Sequence, residues 1–199
     1  MNDIIGNNPE DKHLVDRVLR GDTRAFGIII KNTENLVAQI VFKLVPIAED
    51  RKDLAQDIYL KTFHNLGGFK FESKLSTWIA RIAYNSCLSW IEKKKLVLPG
   101  NLFDDEHHDS PITTVFHRLG QDSESIFSRK ELSGILKKEI EGLPVIYQTL
   151  ITLFHHESMT YEELSLVTGL PEGTVKSSLF RARKMLKEKL LSKYQKEAL

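Results

Sequence analysis

The 199-residue chain has a single cysteine, Cys87, and no long apolar run. One cysteine excludes an internal disulfide and a zinc site built from several cysteines. No window approaches the roughly 18 apolar residues of a membrane helix, and the N-terminus has no apolar core behind a basic start. We therefore expect a cytoplasmic protein in which Cys87 is a small core residue.

Catalytic and metal-binding patterns are also missing from the sequence. It has no glycine-rich phosphate loop, no Ser/His/Asp set and no carboxylate pair that looks buried. The pairs His107-His108 and His155-His156 are adjacent, and neighbours in a helix point about 100° apart, which is poor geometry for chelation. We expect no enzymatic activity, no metal and no cofactor.

The net charge of +1 conceals a segregation of charge along the chain. Residues 61–95 carry seven Lys or Arg against two Asp or Glu, and residues 171–199 carry eight against three. Residues 96–170 carry five basic against twelve acidic side chains. Two basic blocks separated by an acidic one are compatible either with two solvated helix faces or with two contacts to a polyanion.

Apolar residues recur at spacings of three and four, and strand-like alternation is absent, so the pattern predicts an all-α protein. Helical periodicity stops at about residue 95 and resumes near Glu124, across a stretch rich in Pro, Gly and acidic residues. We expect two small helical domains, residues 1–95 and 124–199, joined by a flexible linker at 96–123. We also expect a break near Asn32 in the helix that follows Asp22.

The stretch "MTYEELSLVTGLPEGTVKSSLFRARKML" predicts a helix-turn-helix at the C-terminus. Thr160 and Glu163 have the spacing of a capping box. Gly169 ends the first helix, since glycine adopts a left-handed conformation without strain, and Pro171 needs no amide donor near the next helix start.

The second helix of this motif has one apolar stripe and one basic face. The stripe has steps of four, three and four, and comprises Val175, Leu179, Ala182 and Leu186. Lys176 and Arg181, on the other side, are long donors suited to guanine or phosphate, and Phe180 suits a thymine methyl or a sugar. Gly173 lets a phosphate approach the amides at the helix start. The pattern favours DNA binding over a merely solvated face.

The helix at about 76–95 combines an apolar stripe with cationic, amide and aromatic side chains. We expect Ile79, Ala83, Cys87 and Trp90 to face the core, and Thr77, Arg81, Tyr84, Asn85 and Leu88 to face elsewhere. Single-stranded nucleic acid requires charge for its phosphates and π-faces for its bases. Aromatic residues at helical spacing are, however, more often core residues, and Trp78 is open to either interpretation.

Two stretches together carry a family resemblance. "DLAQDIYLKTFHNLGGF...STWIARIAYN" resembles the second conserved region of bacterial sigma factors, and "LPVIYQTLITLFHHESMTYEELSLVTGLPEGTVKSSLFRARKML" resembles the fourth. Their order, with a short acidic linker between them, is similar to the extracytoplasmic-function (ECF) group of the sigma-70 family. The resemblance covers most of residues 10–95 and 124–190.

The resemblance implies an RNA polymerase sigma factor that binds core RNA polymerase and promoter DNA, recognises the minus-thirty-five element and melts the minus-ten element. By position, the resemblance assigns polymerase docking to Asp53, Leu54, Gln56 and Asp57. The minus-ten element falls on Phe69, Lys70, Ser76, Thr77, Trp78, Arg81 and Asn85. The minus-thirty-five element falls on Gly173, Thr174, Lys176, Ser177, Phe180, Arg181 and Lys184.

The resemblance also implies control by an anti-sigma factor, which in this group is often membrane-anchored. The chain departs from the family pattern at Phe71, Leu75, Lys176 and Ser178, and lysine lacks the two-pronged donor geometry of arginine. Those departures concern the promoter sequence that is read. Two alternatives stay open: a free-standing helix-turn-helix regulator that binds duplex DNA as a dimer, and a sigma-like protein that only titrates a partner.

Overall fold

Three of the described helices begin at a polar side chain that accepts from the free amides of the first turn. The computed structural model describes residues 8–97 and 133–194, with side chains at 8–94 and 133–192. The Asn8 side chain caps α1 (Pro9–Leu19) by accepting from the amide of Glu10 at 3.1 Å. Asp22 caps α2 (Thr23–Leu44) through the amides of Arg24 and Ala25. These caps satisfy donors that a helix start otherwise leaves unpaired.

The first domain consists of α1, α2, α3 (Ala48–Asn65), a 3-10 turn at Leu66–Gly68, and α4 (Leu75–Val97). Helix α4 packs on both α2 and α3, and α1 packs on α2. Its core includes Ile29, Ile40, Ile58 and Ile79, all essentially without solvent exposure. Burying each such side chain contributes about 1.5–3 kcal/mol, so the side chains that α2, α3 and α4 bury together stabilise this domain substantially.

The predicted break near Asn32 is wrong, because α2 continues through this position. The Thr33 hydroxyl donates to the carbonyl oxygen of Ile29 at 2.8 Å, within the same helix. Residues one and two turns further on, Leu36, Val37 and Ile40, are buried in the core. Tertiary burial of this stripe therefore outweighs the weak helix propensity of Asn32 and Thr33.

The second domain consists of α5 (133–141), α6 (Val145–Ile151), α7 (Tyr161–Thr168) and α8 (Glu172–Tyr194). The Gln148 side chain donates to the carbonyl oxygens of Glu141 and Leu143, at 2.9 and 2.7 Å, and so closes the turn between α5 and α6. Helix α6 continues as a π-helical segment at Thr152–His156. The predicted start of the C-terminal domain at residue 124 lies outside the described residues.

The two domains are in contact. Helix α7 packs on α4, and α6 packs on α2. The fold is therefore all-α in the described ranges, with two helical domains whose cores meet along α4. None of the described helices has the length and apolarity needed to cross a membrane.

Cys87 lies in this core, as the sequence predicts, with no solvent exposure. Burial raises the pKa of its thiol to about 12. Because the thiolate is the reactive form, we expect no modification of the native protein by a thiol reagent near pH 8. Urea-unfolded protein should react to completion over the same period. Rapid labelling without urea would show that α4 opens locally.

Candidate nucleic-acid interface

The helix-turn-helix has the local geometry that its sequence predicts. The Thr160 hydroxyl accepts from the Glu163 amide at 3.1 Å, and Glu163 Oε2 accepts from the Thr160 amide at 2.9 Å, which completes the capping box. Gly169 adopts φ 74°, a left-handed conformation that side chains disfavour, and its amide donates to Ser165 at 2.8 Å. The turn therefore sets the direction of α8 through short-range bonds.

Helix α8 presents an exposed polar face opposite its buried stripe. Val175, Leu179 and Ala182 have no solvent exposure, which confirms three of the four predicted stripe residues, while Leu186 is half-buried. All of the predicted reading residues on this helix are exposed: Gly173, Thr174, Lys176, Ser177, Phe180, Arg181 and Lys184. Phe180 is 67% exposed. A large apolar ring held in water on a basic face is suited to a contact with DNA.

Lys176 is held in place by two weak contacts. Its Nζ lies 3.1 Å from a carboxylate oxygen of Glu172 and 5.4 Å from the centre of the Tyr161 ring. Side chains that are about half exposed, such as Lys176 and Glu172, gain only about 0.3–0.5 kcal/mol from such a pair. Lys176 is therefore oriented by these contacts but remains available to an external acceptor.

An aromatic stack supports the same helix and has no signal in the sequence. The rings of Phe154 and Tyr161 stack at 5.0 Å and 24°, and the Arg183 guanidinium lies 5.1 Å from the centre of Phe154. Arg183 Nε also donates to His155 Nε2 at 3.4 Å. Burial, followed by the charge of Arg183, lowers the pKa of His155, so the ring accepts in its neutral form. The π-helical segment carries both Phe154 and His155.

The predicted minus-ten loop is organised around a buried aromatic residue. Phe69 is only 7% exposed, and its ring lies 4.6 Å from Phe71 and 5.2 Å from Trp78. Phe69 therefore supports the loop and does not present its ring to solvent, whereas Lys70 is exposed and Trp78 is half-buried. Phe71 has a positive φ of 58°, which is a strained conformation for an aromatic residue.

The start of α4 is fixed by a residue far away in the sequence. The amide of Leu75 donates to Asp11 Oδ2 of α1 at 3.2 Å. On the exposed side of α4, Arg81, Asn85 and Leu88 lie as the sequence predicts. Tyr84 was expected on that side, but it is 6% exposed and belongs to the core. The exposed face is therefore narrower than the periodicity indicates.

Thr77, at the centre of the predicted minus-ten residues, is covered by the second domain. It is 1% exposed, and its hydroxyl donates to Glu163 Oε1 of α7 at 3.2 Å. Lys74 Nζ lies 2.9 Å from the same carboxylate oxygen. The capping role of Glu163 is predictable from the sequence, but this second contact is not, because it joins residues 86 positions apart.

The predicted polymerase-docking residues lie on α3. Asp53, Gln56 and Asp57 are exposed on one side of this helix. Leu54 was expected with them, but it is 7% exposed and packs in the core of the first domain. Leu54 therefore positions α3 and is not part of its exposed surface.

Comparison with known families identifies both domains. The family described as Sigma-70 region 2 matches residues 29–97, and the family described as Sigma-70, region 4 matches residues 133–186. A helix-turn-helix domain with an exposed basic helix, paired with a region 2 domain, defines a promoter-recognition factor. The chain belongs to the sigma-70 family, in its extracytoplasmic-function group, and directs RNA polymerase to promoters to initiate transcription.

Whole-length relatives agree with this assignment. The chain is 31% identical over 194 residues to the RNA polymerase sigma-H factor of Pseudomonas aeruginosa, covering 95% of this chain and 97% of that protein. It is 31% identical over 185 residues to the ECF RNA polymerase sigma-E factor of Escherichia coli, covering 90% and 94%.

Two solved structures share the fold. The sigma factor RpoE of Bartonella quintana, solved with the anti-sigma factor NepR, has a TM-score of 0.62 at 22% identity, and covers 85% of this chain and 98% of its own. CnrH, solved with the cytosolic domain of CnrY, has a TM-score of 0.60 at 21% identity, and covers 92% and 99%.

Proposed function

We propose that α8 reads the minus-thirty-five element in the major groove. The observation that carries this proposal is the exposed face with Lys176, Phe180 and Arg181, on a helix whose opposite side is buried at Val175, Leu179 and Ala182. Lysine and arginine donate to guanine or phosphate, and an exposed ring packs against a thymine methyl or a sugar. Gly173 and Thr174, exposed at the helix start, leave room for a phosphate next to the backbone amides.

The minus-ten element is bound as a melted single strand by the other basic surface. Exposed Lys70, Arg81 and Asn85, together with half-buried Trp78, supply charge, hydrogen bonds and an aromatic face. Ser76 is half-buried, and Thr77 becomes available only when α7 moves away from α4. A base that leaves the stack costs a few kcal/mol, which stacking and edge hydrogen bonds in a pocket offset.

Core RNA polymerase docks on the exposed side of α3 through Asp53, Gln56 and Asp57. Two carboxylates on one helix face suit a cationic partner surface. Polymerase then supplies the chemistry of RNA synthesis in the cytoplasm, and this chain supplies promoter choice. Joining two weak DNA contacts through one polymerase raises the effective concentration of each at the promoter, so neither needs to bind tightly alone.

The functional division of the chain follows these surfaces. Residues 1–95 dock on polymerase and bind the minus-ten element, residues 96–123 connect, and residues 124–199 bind the minus-thirty-five element. An anti-sigma factor is the expected regulator, which is supported by the similar fold of RpoE from Bartonella quintana, solved with the anti-sigma factor NepR.

Run-off transcription tests this proposal directly. Core RNA polymerase is incubated with fragmented genomic DNA, with and without this protein, and the new RNA ends are mapped. We expect new starts that share two upstream elements. Polymerase binding without new starts would favour a titrating protein, and tight duplex binding without polymerase would favour a free-standing regulator.

A further inference from the structure

The carboxylate of Glu163 serves two structures at once. Oε2 accepts from the Thr160 amide and completes the capping box of α7. Oε1 accepts from Lys74 Nζ at 2.9 Å and from the Thr77 hydroxyl at 3.2 Å, both of which belong to the first domain. The side chain is 2% exposed. A buried carboxylate of the second domain thus lies between a cation and a hydroxyl of the first.

The ionised form of Glu163 is the one that these contacts favour. Burial raises the pKa of this carboxyl, but the bonds from the Thr160 amide and from Lys74 and Thr77 outweigh burial and lower the pKa below its usual value. An anion therefore occupies the pair of donors at neutral pH.

The position of the two donors is significant for nucleic-acid binding. Lys74 immediately precedes the 23-residue helix α4, and Thr77 lies in its first turn. The positive end of the helix dipole adds to the attraction of this site for an anion. Thr77 is adjacent to Trp78 in the sequence and belongs to the surface assigned above to the melted strand, and Lys74 lies between Lys70 and Ser76 of that surface. A carboxylate and a backbone phosphate are both singly charged and accept through oxygen, so a lysine and a hydroxyl can bind either of them.

We propose that Lys74 and Thr77 form a phosphate subsite for the melted promoter strand, which the carboxylate of Glu163 fills while the two domains are closed. The inference rests on the proposed function of the first domain and adds Lys74 to it. Strand binding and domain closure then compete for the same two donors. The two equilibria are linked: the factor by which domain closure lowers the affinity for the strand equals the factor by which bound strand lowers the equilibrium constant for closure.

Four substitutions separate the two roles of these residues. Glu163→Gln removes the anion and preserves α7, because glutamine also completes a capping box. Glu162→Gln is the matched control: it removes the same charge one position earlier, at an exposed residue in the same first turn. Lys74→Gln removes the partner of Glu163 and, on this proposal, a ligand of the phosphate. Lys74→Arg keeps the charge and serves as the rescue variant.

The probe is a fluorescent oligothymidine of about 12 nucleotides, titrated against the full-length protein by anisotropy at several salt concentrations. Because Glu163→Gln destabilises the closed state and releases Lys74 and Thr77, it should bind the oligonucleotide about 3- to 10-fold more tightly than wild type. Lys74→Gln should bind more weakly than Glu163→Gln, and its salt slope should fall by about 0.7 because one phosphate contact is lost. Glu162→Gln and Lys74→Arg should stay within about 2-fold of wild type, as surface changes that leave both contacts in place do.

Domain opening is measured independently by energy transfer between dyes on Lys12→Cys and Lys187→Cys, two exposed positions in different domains. Cys87 is buried, so we expect it to take up no dye in the native protein, and wild type treated with the same dye is the control. We expect transfer to fall in Glu163→Gln and in Lys74→Gln, and to stay unchanged in Glu162→Gln. Circular dichroism establishes that each variant retains its helices.

The difference in oligothymidine affinity between Glu163→Gln and Lys74→Gln is the decisive result. If Lys74→Gln opens the domains and binds the oligonucleotide as tightly as Glu163→Gln does, the subsite is overturned, because Lys74 would then interact only with Glu163. Unchanged binding by Glu163→Gln would overturn the competition. Run-off transcription by the wild-type protein tests the proposed function separately: promoter starts with either of these results leave the function intact and remove only the subsite.

Discussion

Replacing both Lys176 and Arg181 by alanine should lower promoter-dependent transcription by about 100-fold, because each base or phosphate contact in the major groove contributes about 1–3 kcal/mol. Both side chains are exposed on α8, and neither supports the core of the second domain. Polymerase binding should be unchanged, since the docking surface proposed on α3 belongs to the other domain. The measurements are run-off transcription and the affinity for core polymerase.

Lys12→Ala with Arg20→Ala is the matched control for this double variant. Both residues are exposed on or directly after α1, and the control removes the same two positive charges. A comparable loss of transcription in the control would point to a general effect of charge. Loss of polymerase binding in Lys176→Ala with Arg181→Ala would contradict the division of labour between the domains.

The helix-turn-helix was predictable from the sequence because its determinants are local. The Thr160 and Glu163 capping box spans four residues, and the left-handed turn needs only Gly169. The buried stripe through Val175 and Leu179 follows from helical periodicity. Short-range bonds and a single period therefore specify both the element and the face that it exposes.

The interior of the first domain was less predictable, since periodicity reports one face of a helix and α4 is covered on more than one. Helix α4 packs against α2, α3 and α7, which buries Tyr84 as well as the predicted apolar stripe. Leu54 is similar: its neighbours Asp53 and Gln56 are exposed, but its side chain points into the core. A docking surface assigned from a family motif includes such residues, because the motif does not distinguish side chains that contact the partner from side chains that pack in the core beneath it.

The contact between the domains has no local signature at all. Glu163 follows the capping pattern whether or not Lys74 and Thr77 lie beside it, and the pairing joins distant parts of the chain. Such a pairing depends on the relative placement of α4 and α7, which belong to different domains. Glu163 thus makes one local interaction, in the capping box, and one long-range interaction, with Lys74 and Thr77. Only the three-dimensional arrangement reveals the long-range interaction.

Reversing the charge of the α3 face should weaken binding to core polymerase by about 100-fold in the double variant Asp53→Arg with Asp57→Arg, because like charges across an interface cost several kcal/mol. Both carboxylates are exposed, so the substitutions leave the core intact. Lys52, also exposed on this helix, adds to the positive charge that the partner would then meet. The measurement is the affinity of the variant for core polymerase by fluorescence or surface plasmon resonance.

Asp16→Arg with Glu34→Arg makes the same change in net charge at exposed residues of α1 and α2, and provides the control. It should bind polymerase nearly as wild type does. The α3 variant should retain the DNA-reading face, because α8 lies in the other domain, and its thermal midpoint should match that of the control. If Asp53→Arg with Asp57→Arg binds polymerase with wild-type affinity, the docking surface does not lie on this face of α3. That result would leave the reading face of α8 and the contact of Glu163 with Lys74 as they are, since neither depends on α3.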